Sequence, residues 1–213
     1  MPGNQRPDPF QQAVWLFQQG RAAEAEPLLG QVPQRHPNHV DALHLLAIIA
    51  QDSSRTRRAA ALLGRAIKLR PTAAALHDDL ARAQLDLGQH AGAVASADAA
   101  VRLDPAFIEA WINRGNILRA LGRPDDAIAS YDRALALDPG FAVVHFNRAL
   151  ACAEVGRHAE AVAEYDRVIA LDPGFADAFV SRGASLAQLR RPDEAMASLR
   201  QAIALRPDHA EAH

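Results

Sequence analysis

The sequence predicts an all-α protein built as an array of six helix-turn-helix repeats, and three ladders at one period carry that prediction. A proline recurs every 34 residues, at Pro37, Pro71, Pro105, Pro139, Pro173 and Pro207. An alanine keeps the same step, at Ala25, Ala59, Ala93, Ala127, Ala161 and Ala195. A small residue does so as well, at Ala13, Ala47, Ala81, Gly115, Ala149 and Gly183. Fixed small residues and a closing proline at this period describe a helical hairpin that cannot bury its apolar face alone. It stacks on its neighbours, and stability sums over units and interfaces. The composition agrees: 49% of the 213 residues are hydrophobic and only 5% aromatic, with Ala, Leu and Arg, all strong helix formers, prominent.

In chain order, residues 1–8 hold two prolines and a glycine among polar residues and read as a flexible tail. Six repeats follow, at 6–39, 40–73, 74–107, 108–141, 142–175 and 176–209, with helices beginning at residue 9. Repeat one places helices at 9–19 and 22–35 around a turn at Gly20, with Trp15, Leu16, Leu28 and Leu29 giving the apolar spacing. Pro27 falls inside its second helix and is expected to bend or shorten it. Repeat two opens with the most apolar helix, 41–51, and turns at Asp52-Ser53-Ser54-Arg55 where other repeats have Leu-Gly. Repeat three turns at Gly88 and has Ala97 where repeats four and five have Tyr131 and Tyr165, so looser packing is expected there. Pro124 and Pro192 sit in the first turn of second helices, where the missing N–H costs nothing, followed by acidic residues that suit the helix dipole. Residues 210–213 match the opening of a truncated or unfinished seventh repeat. No polar cap is visible over the last apolar face, which suggests a fragment of a longer protein, or a face covered by a partner or second copy.

The most regular unit, Ile108 to Pro139, carries Trp111, Gly115, Leu118, Gly122, Ala127, Tyr131, Ala134 and Pro139 at fixed offsets. With these residues the chain resembles the tetratricopeptide repeat (TPR) family over almost its whole length, and in type the bacterial arrays like those of O-GlcNAc transferases. The resemblance implies an α-solenoid, a right-handed TPR superhelix, in which the first helix of each repeat lines a concave face. Mapped onto this chain, that face includes Asp79 and Arg82 in repeat three. It continues with Ile112, Asn113 and Asn116 in repeat four, Phe146 and Asn147 in repeat five, and Val180 in repeat six. These eight residues are the candidate peptide-binding groove.

Two features of the mapped face bear on a ligand. It holds eight carboxylates (Asp41, Asp52, Asp78, Asp79, Asp86, Glu109, Glu154 and Asp177) against Arg82 and Arg119, which would favour a basic or neutral partner. The same carboxylates also read as helix-start and solvated residues. Apolar residues Ile112, Phe146 and Val180 recur at one offset, each followed by Asn113, Asn147 or Ser181. An amide both donates and accepts, so a ladder of them could hold a peptide backbone. This resembles in part the asparagine ladder of O-GlcNAc transferases; the alternative is a tolerated exposed helix residue. The carboxylate clamp of chaperone-binding TPR domains is disfavoured, because Ile112, Asp177 and Ser181 stand where its cations belong. A second ladder, Arg114, Arg148 and Arg182, replaces a consensus leucine; buried arginines need partners, and Asp132 and Asp166 are candidates.

The remaining signals are mostly exclusions. A net charge of −2 gives no global preference for nucleic acid or an anionic membrane. A lone cysteine, Cys152, cannot staple the fold and reads as a buried, inert thiol. The amino terminus has no signal-peptide pattern, and the longest apolar run, around Leu45 to Ala50, is too short to span a bilayer, so a cytoplasmic protein is expected. His36, His39, His44 and His77 match no metal-ligand spacing, and no phosphate loop or nucleophile constellation is present, so neither cofactor, metal nor catalysis is expected. The sequence therefore points to a non-catalytic scaffold binding a protein or peptide segment. Two alternatives stay open. One is the substrate-recruiting amino-terminal part of a glycosyltransferase, sulfotransferase or methyltransferase fusion. The other is self-association, as a homodimer, through the last helix (Ala195, Leu199, Ala202, Ile203, Leu205).

Overall fold

Every hairpin turns on one residue held at positive φ, and this residue sets the 34-residue frame of the structure. In a computed structural model describing residues 8–206, Gly20, Gly88, Gly122 and Gly156 take φ of 69–76°. The matching residues of the other two repeats are Ser54 (φ 57°) and Arg190 (φ 58°). The left-handed conformation lets the next amide reach back five residues to the last turn of the first helix. Such bonds run from Arg21 to Leu16 (2.9 Å), Arg55 to Ala50 (2.7 Å), Gln89 to Gln84 (2.8 Å), and so on through Arg191 to Leu186 (3.0 Å). This Schellman closure satisfies carbonyls that a helix end leaves open.

The helices so separated are α1 (Pro9–Gln18), α2 (Ala22–Arg35), α3 (Val40–Asp52), α4 (Thr56–Leu69), α5 (Ala74–Asp86) and α6 (His90–Leu103). They continue as α7 (Ile108–Ala120), α8 (Pro124–Leu137), α9 (Ala142–Glu154), α10 (His158–Leu171), α11 (Ala176–Gln188) and α12 (Pro192–Leu205). No strand occurs among the described residues. The tail 1–7 and the start of a seventh repeat, 210–213, lie outside the described residues. The chain divides into two compact units, Met1–Pro105 and Ala106–His213, each carrying three hairpins. Within each unit every helix packs on the next in sequence.

Unit 1 is closed by apolar packing. Leu29, Leu63 and Leu43 are fully buried, and the ladder alanines Ala25, Ala59 and Ala93 have no exposed surface. Ala81 and Ala97 are both fully buried. Two expectations for repeat one need correction. Helix α2 runs its full 14 residues through Pro27, so that proline does not shorten it. Trp15 is 53% exposed rather than part of the core, with the Arg21 guanidinium 5.9 Å from its ring centre.

Unit 2 adds polar cross-links to its apolar core. Tyr131 and Tyr165 are almost completely buried. The Tyr131 ring lies where a side chain on Gly115 would be: a Cβ there would stand 2.5 Å from it, which is why the small-residue ladder needs glycine here. The arginine ladder is paired as expected, Arg148 Nε donating to Asp132 and Arg182 Nε to Asp166, both at 2.6 Å. Arg114 and Arg182 also donate to Ser130 and Ser198, each at 2.6 Å. Cys152 is fully buried, and burial pushes its thiol up.

Candidate functional site

The groove residues fall in both units, and each set is described where it lies. In unit 1, Asp79 on α5 is 9% exposed and enclosed by its own ion pairs. His44 Nε2 from α3 lies 2.5 Å from Asp79 Oδ2, and Arg82 donates to Oδ1. Burial alone would raise the Asp79 carboxyl, but His44 and Arg82 together hold it below the usual range. The carboxylate is thus spent within the fold, while Arg82 remains exposed. His39 is likewise used internally: its Nδ1 accepts the Ala42 N–H at 3.2 Å and caps α3. Among the described residues no group of three metal-ligating side chains converges.

In unit 2, the first helices α7, α9 and α11 lie in sequence beside one another and bring six of the eight residues together. Ile112, Asn113, Asn116, Phe146 and Asn147 are half-buried, and Val180 is 48% exposed. The amide of Asn116 is the hinge of this group. Its Oδ1 accepts the Tyr131 hydroxyl at 2.8 Å and the Asn147 Nδ2 at 3.2 Å. With Oδ1 of Asn116 taken by both donors, the Asn116 amide hydrogens and the Asn147 carbonyl are not used in this contact, one donor group and one acceptor. Phe146 packs on Phe175 (centroids 4.8 Å) and Tyr165 (5.8 Å), which fixes its ring beside the amides. Val143, 55% exposed, extends the apolar surface one turn along α9. Ser181 hydrogen-bonds Tyr165 and is therefore a weaker third rung. Burial pushes both tyrosine hydroxyls up to about 12, so at neutral pH they stay protonated and donate.

The expected acidic character is reduced but not removed: four of the eight carboxylates are paired, while Asp52, Asp86 and Glu109 stay exposed. Asp41 binds Arg70 (3.0 Å), Asp177 binds Arg206 (2.9 Å) and Glu154 binds Arg119 (3.0 Å), in addition to the Asp79 pairs. Arg70 and Arg206 come from the ends of second helices, which a list of first-helix residues could not include. A polar cluster not anticipated from sequence lies elsewhere in unit 2. Glu164 is buried; His145 Nδ1 lies 2.6 Å from its Oε2, and Arg148 and Arg167 donate to its Oε1. A cavity of about 490 Å³ opens over this cluster, but its charges already neutralise one another.

Repeats closed by left-handed turns, fixed small residues and terminal prolines define a helical-repeat protein. The sequence matches models of the tetratricopeptide repeat over residues 10–39, 44–107, 79–142, 112–174 and 176–209. The chain belongs to the tetratricopeptide repeat family. Among solved structures it is similar to YrrB, described as a TPR protein with an unusual peptide-binding site. That match has a TM-score of 0.73 at 22% identity and covers 85% of this chain and 94% of YrrB. MamA matches with a TM-score of 0.72 at 23% identity, covering 78% and 97%. TTC0263, a TPR protein of Thermus thermophilus, matches at 0.65 and 24%, covering 84% and 97%. At these identities the likeness establishes the all-α solenoid fold. No curated protein matches the sequence. Among the described residues no helix is long and apolar enough to cross a membrane.

Proposed function

We propose that the chain is a non-catalytic protein-interaction scaffold, and that the first-helix face of unit 2 holds an extended peptide or partner segment. The observation that carries this reading is the oriented amide pair. Tyr131 and Asn147 both use Oδ1 of Asn116, so an Asn116 N–H and the Asn147 carbonyl remain for a peptide C=O and N–H. Ile112, Phe146, Val143 and Val180 flank the amides and supply apolar contact for alternate side chains of an extended strand. Backbone bonding of this kind gives affinity without demanding one sequence, and the apolar flank gives preference. Pairing of Glu154 and Asp177 lessens the pull on a strongly basic partner, while the exposed Glu109 keeps the face suited to a basic or neutral one. The peptide-binding site named for YrrB supports the same class of ligand. In unit 1, Asp79 serves the fold, and Arg82 is the exposed candidate of that unit.

The test is a triple substitution of Asn113, Phe146 and Asn147 to Ala, compared with the unaltered protein against a library of extended peptides. Binding is expected to be lost while helicity is retained. Undiminished binding by the triple variant would remove the groove from the account.

A further inference from the structure

The feature of the molecule that the groove does not use is the outer face of α4. Its charged residues are Arg57, Arg58, Arg65 and Lys68, with no acidic residue in the helix. Each of the other second helices carries at least one carboxylate. The two arginines of the first turn stand at the end where the helix dipole favours anions, so they oppose the local field. Glu26 offsets this for Arg58 (2.7 Å) and for the neighbouring Arg55 (2.8 Å), a group that still sums to one positive charge. Arg57, Arg65 and Lys68 are exposed and make no hydrogen bond or ion pair with any described residue.

These three cations form one stripe. At 100° per residue, Arg57 and Lys68 lie almost in line about 17 Å apart, with Arg65 at the stripe's edge and Ala61 and Gly64 between them. The space over Gly64 is open. At its amino-terminal end the stripe borders a shallow cavity of about 460 Å³ lined by Arg55, Arg57, Arg58 and Leu87. The charges nearby on α2 and α6 do not reverse the sign. Glu24 is engaged by Arg21, and the half-buried Asp98 is outweighed by the further cations Arg35 and Arg102.

We infer that this face docks an acidic segment of a partner protein. Charge complementarity selects an anionic partner, and the surface discriminates among the sources of negative charge. A membrane-surface helix needs large apolar side chains beside its cations, whereas this stripe offers only Ala61 and Gly64. Nucleic acid is disfavoured because the stripe carries no aromatic side chain for a base to stack on, on a chain whose net charge is −2. A second copy is a poor match, because Asp125, Asp126, Asp132, Glu164, Asp166 and Glu194 on the second helices of unit 2 are held by arginines, which leaves Glu160 and Asp193 on separate helices as too few carboxylates for the stripe. A flexible acidic polypeptide can follow the row of cations and approach closely over the two small residues.

The surface is independent of the groove, so its test is too. A short fluorescent poly-glutamate peptide, vesicles of phosphatidylserine and phosphatidylcholine, and single-stranded poly-uridine are titrated separately at low and high NaCl. The proteins are the unaltered chain, the triple variant Arg57→Glu, Arg65→Glu and Lys68→Glu, and a control Arg200→Glu on α12. Circular dichroism checks that each is folded. The expected result is salt-sensitive binding of poly-glutamate that the triple variant weakens at least about tenfold and the control leaves unchanged. The groove variant described above should bind poly-glutamate normally. Absence of poly-glutamate binding, equal binding by the triple variant, or a preference for vesicles or poly-uridine would overturn the assignment.

Discussion

The two units are built on one 34-residue plan but closed by different chemistry. At the position where unit 2 has Arg114, Arg148 and Arg182, unit 1 has Leu46 and Leu80 in repeats two and three. Where unit 2 has Tyr131 and Tyr165, unit 1 has Leu29, Leu63 and Ala97. Unit 1 is held mainly by dispersion and burial, with His44–Asp79–Arg82 and Ser96–Gln84 as polar additions, while unit 2 replaces more of that packing with hydroxyl, guanidinium and carboxylate contacts. The polar route has a structural consequence that apolar packing cannot give. The Tyr131 hydroxyl emerges at the first-helix face and orients the Asn116 amide there. A hairpin closed by Leu63 has no group to do this. The difference locates the candidate groove in unit 2 and leaves the exposed cations of α4 as the distinguishing surface of unit 1.

The comparison is broken most forcefully at Tyr131. Tyr131→Ala empties a fully buried ring site and should cost about 3–5 kcal/mol in a denaturant titration. Tyr131→Phe should cost only about 1 kcal/mol, the worth of one hydrogen bond, yet weaken peptide binding by releasing Asn116. If Tyr131→Phe binds peptide normally, the tyrosine has no orienting role. Next in size is Glu164→Gln, which leaves Arg148, Arg167 and His145 around a neutral amide. A loss of about 3 kcal/mol is expected. The double change Arg148→Leu with Glu164→Leu should recover most of it by restoring the apolar scheme of unit 1, and no recovery would mean that the two schemes are not interchangeable.

The tyrosines also provide a pH test. Both are raised by burial to about 12, above the ordinary value near 10, so the folded state holds protons that the unfolded state releases. Their contribution to stability is therefore complete below pH 10 and lost as pH climbs through 12. With only these two tyrosines in the chain, absorbance at the tyrosinate band should show no titration near pH 10 while the protein stays folded. A transition near 10 in the folded state would show that the rings are not buried as described. The smallest effect belongs to the turns. Ser54→Gly and Arg190→Gly should each stabilise by about 0.5–1 kcal/mol, because they relieve a left-handed residue that the other four repeats assign to glycine. A loss of stability would mean those side chains contribute more than the strain costs.

The fold was legible because its determinants repeat. A closing proline, a buried alanine and a small residue opposite a large one are each fixed by local packing, so each appears at one period. The arginine ladder was legible for the same reason: Arg148 with Asp132 and Arg182 with Asp166 share a separation of 16 residues. What escaped were partners that enter from a different helix or only once. Arg70 and Arg206 reach Asp41 and Asp177 from the ends of second helices, each 29 residues away, and lessen the acidic character that first-helix residues alone suggest. The pairs His44–Asp79 and Arg119–Glu154 both span 35 residues, one repeat plus one position, a spacing that could have revealed them. Asp79 read as a ligand contact because its offset is exposed in the family pattern; here the His44 imidazole and the Arg82 guanidinium close over it. The Asn116–Asn147 bond needs Tyr131 to set its direction, and no spacing shows that. Trp15 read as core from periodicity alone, although the first repeat leaves that side of α1 exposed.

The account stands most directly on whether a peptide engages the Asn116 and Asn147 amides. With asparagine side chains labelled with nitrogen-15, the amide resonances can be followed while a neutral extended peptide selected from the library is titrated. The account predicts saturable shifts of the Asn116 and Asn147 side-chain signals, with the same midpoint as binding, and their loss in Tyr131→Phe. Binding that leaves both signals unmoved would contradict it and place the peptide elsewhere on the molecule.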